Sequence, residues 1–453
     1  MEILYRSTNR DSPLASFTDA LLSGQAPDGG LYMPTAFPRL ARKDISALEG
    51  KPYADVAFAA LHPFLHRSLE DSVLRRLVNE SYTFEVPLEP VDEHSFILRL
   101  DRGPTASFKD FAARIMARLM HHLSRKEGRE LTVVVATSGD TGGAVASAFH
   151  NLPRVKVDVL YPKKGVSPLQ RKQMTTLGGN VRALEVDGTF DDCQALVKRA
   201  FSDKTLSSVK LASANSINIG RLLPQACYHA YACTRLHAKN LLVSIPSGNF
   251  GNLMGGIIAR EMGFPISTFV VAVNANDEFP RFLSSGEYAP VVPSRSCSSN
   301  AMDIGHPSNL VRIVDFYGGW MKDERNAEGR ITRKGIIKKL PNLGRMRSEL
   351  PSFSISDAES DEAIRSFYKE RRVLLEPHGA VGWCALERYR RTHPLNTAVC
   401  LETADPAKFS EHMEHLLGFA PPLPPSMKGL GAMKEEVEEI PNKYGSFKRV
   451  LLS

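Results

Sequence analysis

Between residues 96 and 273 short apolar runs alternate with amphipathic stretches. The runs at 96–100, 131–135, 155–161, 181–186, 241–245 and 267–273 are short, rich in Val, Ile and Leu, and bounded by turn-forming residues, so they predict β-strands. Residues 108–122, 143–150, 221–236 and 253–262 carry apolar positions at helical spacing and predict helices. A further strand is expected over 397–401. Strands that read as continuous apolar runs are covered on both faces, which is the habit of parallel sheets flanked by helices. The alternation comes in two blocks, before and after Ser216. The fold class expected is therefore α/β, with two parallel-sheet domains and a cleft between them.

Outside these blocks the pattern changes. Residues 1–95 predict a mainly helical subdomain, with helices over 53–66 and 69–78 and a turn-dense segment at 26–34. Residues 275–350 are less regular, and the Ser-rich stretch 294–300 reads as loop. Pro-Pro-Leu-Pro-Pro at 421–425 reads as the end of the globular body, with a charged, peripheral tail after it. The division expected is 1–95, a smaller α/β domain over 96–220, a larger one over 221–420, and a C-terminal tail over 421–453.

Composition narrows the function classes. At 453 residues, 43% hydrophobic and 24% charged, the chain can bury a large core and a water-poor site. The net charge of +7 is spread over scattered Lys and Arg without a basic stripe, which favours an anionic small molecule over nucleic acid. None of the six cysteines forms a C-x-x-C pair, so zinc and redox motifs are not expected, and a reducing compartment is. No apolar run reaches membrane-spanning length and residues 1–13 lack an apolar secretory core, so neither a membrane nor export is expected and the cytoplasm is. The spacings His62-x-x-x-His66 and His412-x-x-His415 lack a third ligand, and no metal is expected.

Four segments can carry chemistry. Residues 103–110, Gly-Pro-Thr-Ala-Ser-Phe-Lys-Asp, place Lys109 just inside a helix start, where the helix dipole disfavours a cation and so favours the free amine that a Schiff base requires. Taken alone, such a lysine is more often a solvated surface residue. Residues 137–144, Thr-Ser-Gly-Asp-Thr-Gly-Gly-Ala, follow a strand and offer free amides to an anion. So does the loop Pro-Ser-Gly-Asn-Phe-Gly-Asn at 246–252, which opens its backbone at Gly248 and Gly251 and adds Asn249 and Asn252 as donors. Either loop also reads as a plain strand-to-helix turn. Thr403, in the fourth segment, 402–409, follows the strand candidate 397–401 and would point into the ligand crevice of a parallel sheet, or cap a turn. The loop at 246–252 with Asp277 downstream leaves a nicotinamide oxidoreductase open, although the G-x-G-x-x-G spacing is missing. A binding protein without catalysis also remains open.

Together these segments resemble the threonine synthase family of the long bacterial and fungal type. The resemblance spans nearly the whole chain: Tyr5-Arg6-Ser7-Thr8 and 26–34 at the start, Phe108-Lys109-Asp110, Ala-Thr-Ser-Gly-Asp-Thr-Gly at 136–142, Ser-Ala-Asn-Ser-Ile-Asn at 213–218, 246–252, Asn300-Ala301-Met302-Asp303, and Thr403-Ala404-x-Pro406-Ala407-Lys408-Phe409. It implies the tryptophan-synthase-β-like fold, pyridoxal 5'-phosphate as cofactor, and conversion of O-phospho-L-homoserine and water to L-threonine and phosphate. Lys109 would attach the cofactor. Gly248, Asn249, Phe250, Gly251 and Asn252 would hold its phosphate, and Thr403 its ring nitrogen, which a neutral hydroxyl would leave largely unprotonated. Ser138, Thr141, Asn215, Ser216 and Arg221 are candidates for the substrate, a phosphorylated amino acid. A monomer or homodimer is expected. Two positions depart from the family pattern: Arg102 stands where it has His before Gly-Pro-Thr, and Asp405 where it has His after Thr-Ala. Asp405 would place an acid near the pyridine end of the cofactor. A related phospho-lyase releasing 2-oxobutyrate, ammonia and phosphate would share all of these motifs.

Overall fold

The structure, a computed structural model, describes residues 2–126, 128, 130–325, 331–393 and 396–453. Met1, at the start of the expected polar N-terminal stretch, lies outside them.

Two sheets organise the chain. The first has five strands in the order Glu438–Pro441, Val181–Asp187, Val155–Pro162, Leu131–Ala136, Leu211–Ser213, all parallel. The second has six, in the order Ser352–Ser354, Ile266–Val273, Leu241–Pro246, Ala398–Glu402, Ser95–Arg99, Leu88–Pro90, and only its last pair is antiparallel. Leu131–Ala136 and Leu241–Pro246 are buried at every position, as their largely apolar runs require when helices cover both faces. The α/β class with two parallel-sheet bodies is the architecture observed.

The N-terminal region adds helices Tyr53–Leu65 and Asp71–Ser81, and a short antiparallel pair, Tyr5–Ser7 with Tyr32–Pro34. It is fastened to the helix that begins at Lys109. The Tyr53 ring packs edge-on against Tyr82, Phe111 and Tyr231, with centroids 4.9, 5.2 and 5.3 Å away, and the Tyr82 hydroxyl donates to the Phe111 carbonyl at 2.9 Å. Aromatic burial of this kind dominates core energetics and fixes the lysine helix from behind.

The structure differs from the sequence-based division in three places. The strand Ser95–Arg99, assigned to the smaller domain, lies in the six-stranded sheet, pairing Ala398–Glu402 in parallel register. The segment 421–453 is no peripheral tail: Glu438–Pro441 forms the edge of the five-stranded sheet against Val181–Asp187, and the helix Tyr444–Leu452 buries Phe447 and Leu451 in that sheet's core cluster. Pro421–Pro425 is a connector that carries the chain back to the first domain. Residues 275–350 contain helices Glu278–Ser285, Leu310–Phe316 and Leu343–Glu349 and an antiparallel pair, Trp320–Arg325 with Ile331–Lys339. Long-range partners decide these elements, and local pattern does not reveal them.

Candidate active site

All the predicted site segments follow parallel strands, so they gather at the strands' C-terminal ends, where open α/β sheets hold their ligands. Lys109 opens the helix Lys109–Lys126. Its segment is clamped to the one that follows the neighbouring strand of the six-stranded sheet: Phe108 N–H donates to the Thr403 carbonyl at 2.9 Å, Asp405 N–H to the Ala106 carbonyl at 3.1 Å, and Ser107 bridges Ala404. Lys109 and Thr403, 294 positions apart by the numbering, thereby become neighbours. Asp110 turns back to accept from Thr105 N–H at 2.8 Å and from the Thr105 hydroxyl at 2.7 Å, locking the turn before the lysine.

The Lys109 side chain is 13% exposed, and its Nζ lies 3.3 Å from Asp140 Oδ2. The other oxygen of Asp140 accepts from Lys408, fully buried, at 2.8 Å and from the Gln170 amide at 3.0 Å. Burial lowers the proton affinity of Lys109; Asp140 opposes this, and Lys408 and Arg221 add to it. Burial alone would push Asp140 up, but the Lys408 and Lys109 ammonium groups outweigh it and hold the carboxylate well below the usual range. Two amines thus share one carboxylate, and the balance of charge favours an incoming anion.

The loop at 246–252 ends the Leu241–Pro246 strand and starts the helix Gly251–Glu261. Phe250 caps that helix with φ 58°, a left-handed conformation uncommon for a bulky residue, and its ring is buried against Phe279 at 4.8 Å. The Phe250 side chain is therefore an anchor, and the backbone is what the loop presents. No hydrogen bond among the described residues takes the N–H groups of Gly248, Asn249 or Phe250. The first amides of the helix add further free donors. The Asn252 side-chain NH2 is buried without a partner, while its oxygen faces His229 Nε2 at 3.0 Å. A Cβ at Gly248 would lie 2.9 Å from the Ala301 carbonyl, so only glycine fits there. Unpaired buried donors around a close-approach glycine are what a phosphate group satisfies. The chemistry of this cleft, a buried lysine beside unpaired buried donors, fits pyridoxal 5'-phosphate.

The substrate candidates divide. Asn215 spans the two strand ends of the smaller sheet, donating its amide to the Ala136 carbonyl at 3.1 Å. Ser216 is tied to the phosphate loop through Asn309, which donates to the Ser216 carbonyl at 3.3 Å and, from its backbone, to the Asn249 carbonyl at 3.2 Å. Arg221 is buried, donates to the Ala214 carbonyl at 2.8 Å, and leaves Nε unpaired; burial pulls its guanidinium down to about 10. Ser138 is exposed and Thr141 partly buried, both beside Asp140 in the loop after Leu131–Ala136.

Several residues here had no assigned role in the sequence reading. Asp140 and Lys408 lie inside quoted motifs, but nothing local shows that they pair. Glu376 accepts from Gly379 N–H at 3.0 Å as cap of the helix Pro377–Arg390, and also from the Thr403 hydroxyl at 3.0 Å. Before Pro377 it reads as a cap and nothing more. Arg312 is wholly buried and joins Tyr32, Ile217 and Asn309, tying the N-terminal region to the loop. The Asp405 carboxylate accepts from Ala407 N–H at 2.9 Å as the cap of a short helical turn, and the acid bonded to Thr403 is Glu376. Arg102 is exposed, 3.6 Å from Asp101 and 3.7 Å from Glu89. Asp277 precedes the helix Glu278–Ser285, and its carboxylate accepts from Arg281 at 3.1 Å. His62 faces Asp71 and His412 faces Asp361. Among the described residues no helix is long and apolar enough to cross a membrane.

Comparison with known proteins agrees with this geometry. Residues 4–82 match the family model "Threonine synthase N terminus", 84–403 "Pyridoxal-phosphate dependent enzyme", and 379–451 "Threonine synthase, C-terminal", the last reaching through the strand and helix that follow Pro421–Pro425. The chain is 38% identical to the threonine synthase of Haemophilus influenzae, over 96% of each chain. Its structure is similar to that of PLP-bound threonine synthase from Brucella melitensis, with a TM-score of 0.91 at 34% identity and 99% of both chains covered. The yeast threonine synthase structure is also similar, with a TM-score of 0.89 at 31% identity, covering 99% of this chain and 98% of that one. Full-length similarity, a shared fold and a cleft that fits the cofactor agree: the chain belongs to the threonine synthase family of pyridoxal-phosphate-dependent enzymes.

Proposed function

We propose that the chain catalyses threonine formation from O-phospho-L-homoserine and water, releasing phosphate, with Lys109 as both cofactor attachment point and base. The observation that carries this reading is the clamp between residues 106–108 and 403–405, which sets Lys109 beside Thr403 and between the two sheets. When bound, the cofactor supplies an electron-withdrawing ring that acidifies the substrate's C–H bonds.

The chain's residues then have separate tasks. Gly248, Asn249, Phe250, Gly251 and Asn252 grip the cofactor phosphate through backbone amides and the Asn252 NH2. Thr403 meets the ring nitrogen. With the cofactor bound, the Lys109 amine would take up and return protons at the substrate's α- and β-carbons, and its burial lowers its proton affinity toward that task. Asp140 orients the Lys109 amine from 3.3 Å. Ser138, Thr141, Asn215, Ser216 and Arg221 receive the substrate phosphate, with the unpaired Arg221 Nε as its buried charged donor. The Arg221 and Lys109 cations sit in the same cleft, which suits a substrate carrying both a phosphate and a carboxylate. The segments of Lys109, the phosphate loop and Thr403 all extend from strands of the six-stranded sheet, while those of Asp140 and Asn215 extend from the five-stranded one. We place the protein in the cytoplasm as a monomer or homodimer.

The test is product analysis. Purified protein supplied with O-phospho-L-homoserine should release threonine and phosphate in equal amounts, and Lys109→Ala should abolish this while leaving the fold intact by circular dichroism. Dominant 2-oxobutyrate and ammonia would identify a phospho-lyase instead. Normal turnover by folded Lys109→Ala would end the lysine assignment.

A further inference from the structure

A hydroxyl facing the ring nitrogen suggests an unprotonated nitrogen, but the surroundings of Thr403 argue otherwise. Glu376 is fully buried and both of its oxygens are taken by donors. Oε1 accepts from Gly379 N–H at 3.0 Å, Thr403 N–H at 3.3 Å and the Thr403 hydroxyl at 3.0 Å. Oε2 accepts from His378 N–H at 2.7 Å and from the His378 ring at Nδ1. The tautomer of that ring follows from its far side: Ala301 N–H donates to Nε2 at 3.1 Å, so Nε2 carries no hydrogen and Nδ1 does. A carboxylate ringed by five donors has no use for a proton of its own.

The bond between Thr403 and Glu376 therefore uses the hydroxyl hydrogen of Thr403. A threonine has one such hydrogen and two lone pairs. A hydrogen bond to a carboxylate is roughly twice as strong as one to a neutral acceptor, so the hydrogen stays on the Glu376 side. Only lone pairs remain for anything on the other side.

We propose that Glu376 is a positioning residue that turns the lone pairs of Thr403 toward the cofactor's ring nitrogen, so that this nitrogen bonds to Thr403 as N–H and is held protonated. The inference rests on the reading that Lys109 carries the cofactor and Thr403 meets its ring. The other charged groups around Glu376 agree with it. Glu402 accepts from Glu376 N–H at 2.6 Å; burial, and then the nearness of Glu376, push its carboxyl well up, so the negative charge of the pair settles on Glu376. Arg99 lies behind Glu402 at 3.9 Å and is held there by Asp101. The relay also reaches the phosphate loop, because the Ala301 carbonyl packs against Gly248. The residues that would hold the two ends of the cofactor thus belong to one connected frame, hydrogen-bonded from Thr403 to Ala301 and packed from Ala301 to Gly248.

The test is ¹⁵N NMR of the holoenzyme loaded with ring-¹⁵N-labelled pyridoxal 5'-phosphate, with borohydride reduction and peptide mass analysis of the same samples. The wild-type resonance should be that of a pyridinium nitrogen. In Glu376→Gln the protonated-to-neutral ratio at fixed pH should fall about tenfold or more, the effect expected from removing one nearby charge. A neutral nitrogen in wild-type protein whose Lys109 carries the cofactor mass overturns this inference alone. A pyridinium signal unchanged in Glu376→Gln does the same. No cofactor mass on Lys109 overturns the underlying reading and this inference with it. Should Glu376→Gln fail to fold, Thr403→Val, nearly the same shape without lone pairs, should show the neutral nitrogen, and a retained pyridinium signal would refute the role of Thr403.

Discussion

Replacing Lys408 by methionine removes one ammonium and keeps most of the aliphatic stem. In the structure Lys408 Nζ lies 2.8 Å from Asp140 Oδ1 with neither side chain appreciably exposed. At an effective dielectric of about 20, two unit charges at 2.8 Å attract by about 6 kcal/mol. Part of this is offset because Lys408 no longer has to be desolvated. What remains is a buried carboxylate with a weaker partner, Lys109 at 3.3 Å, and breaking a buried pair from one side costs about 3–5 kcal/mol. The loss has a pH signature. Asp140 is now held below the usual carboxylate range by Lys408 first and Lys109 second, against burial. Without Lys408, burial raises its folded pKa relative to wild type, and where it exceeds the unfolded value the folded state binds more protons than the unfolded one. The deficit then grows as pH rises from the carboxylate range toward neutrality, and shrinks in acid. Urea unfolding of wild type and Lys408→Met at pH 8 and pH 5 reads this directly. Adding Asp140→Asn to Lys408→Met should recover stability at pH 8, because the stranded charge is gone. A deficit below about 1 kcal/mol at pH 8, or an Asp140→Asn change that only adds to it, would refute the account of this triad.

Two further changes test the loop. Gly248→Ala puts a Cβ 2.9 Å from the Ala301 carbonyl and 3.2 Å from Met302 Cα, both backbone, so the cradle has to shift. Overpacking of this kind costs about 1–3 kcal/mol, and the cofactor's Kd, followed by fluorescence titration, should rise roughly tenfold; an unchanged Kd would count against the cradle. His229 is buried with Nδ1 unpaired, and burial lowers its pKa from 6.5 to about 4 despite its bonds to Asn252. Its unfolded form takes up a proton first, so stability should fall as pH drops from about 6.5 toward about 4, by up to about 3 kcal/mol from this residue. Thermal melts of wild type and His229→Gln across that window should show a shallower slope for the variant, and equal slopes would exclude His229 as the source.

What the sequence determined by itself is the set of local elements and the chemistry they carry. The largely apolar runs at 131–135 and 241–245 predict strands buried on both faces, and burial at every position agrees. Lys109 at a helix start and the Gly-Asn loop at 248–252 are legible because each needs only its immediate neighbours: a helix dipole and the free amides of a strand-to-helix turn. The tertiary structure alone decided how distant pieces meet. Ser95–Arg99 is a strand on local evidence, but its partner, Ala398–Glu402, sets its sheet. Residues 438–441 alternate too weakly to predict an edge strand, and only the exposed edge of Val181–Asp187 makes them one. Asp140 with Lys408, Thr403 with Glu376, and Arg312 with Tyr32 and Ile217 are bonds across 268, 27, 280 and 95 positions. Periodicity reports which face of an element is buried, not which element covers it. Charges and hydroxyls inside a core take their meaning from the partner that desolvation forces on them, and only the folded chain supplies that partner.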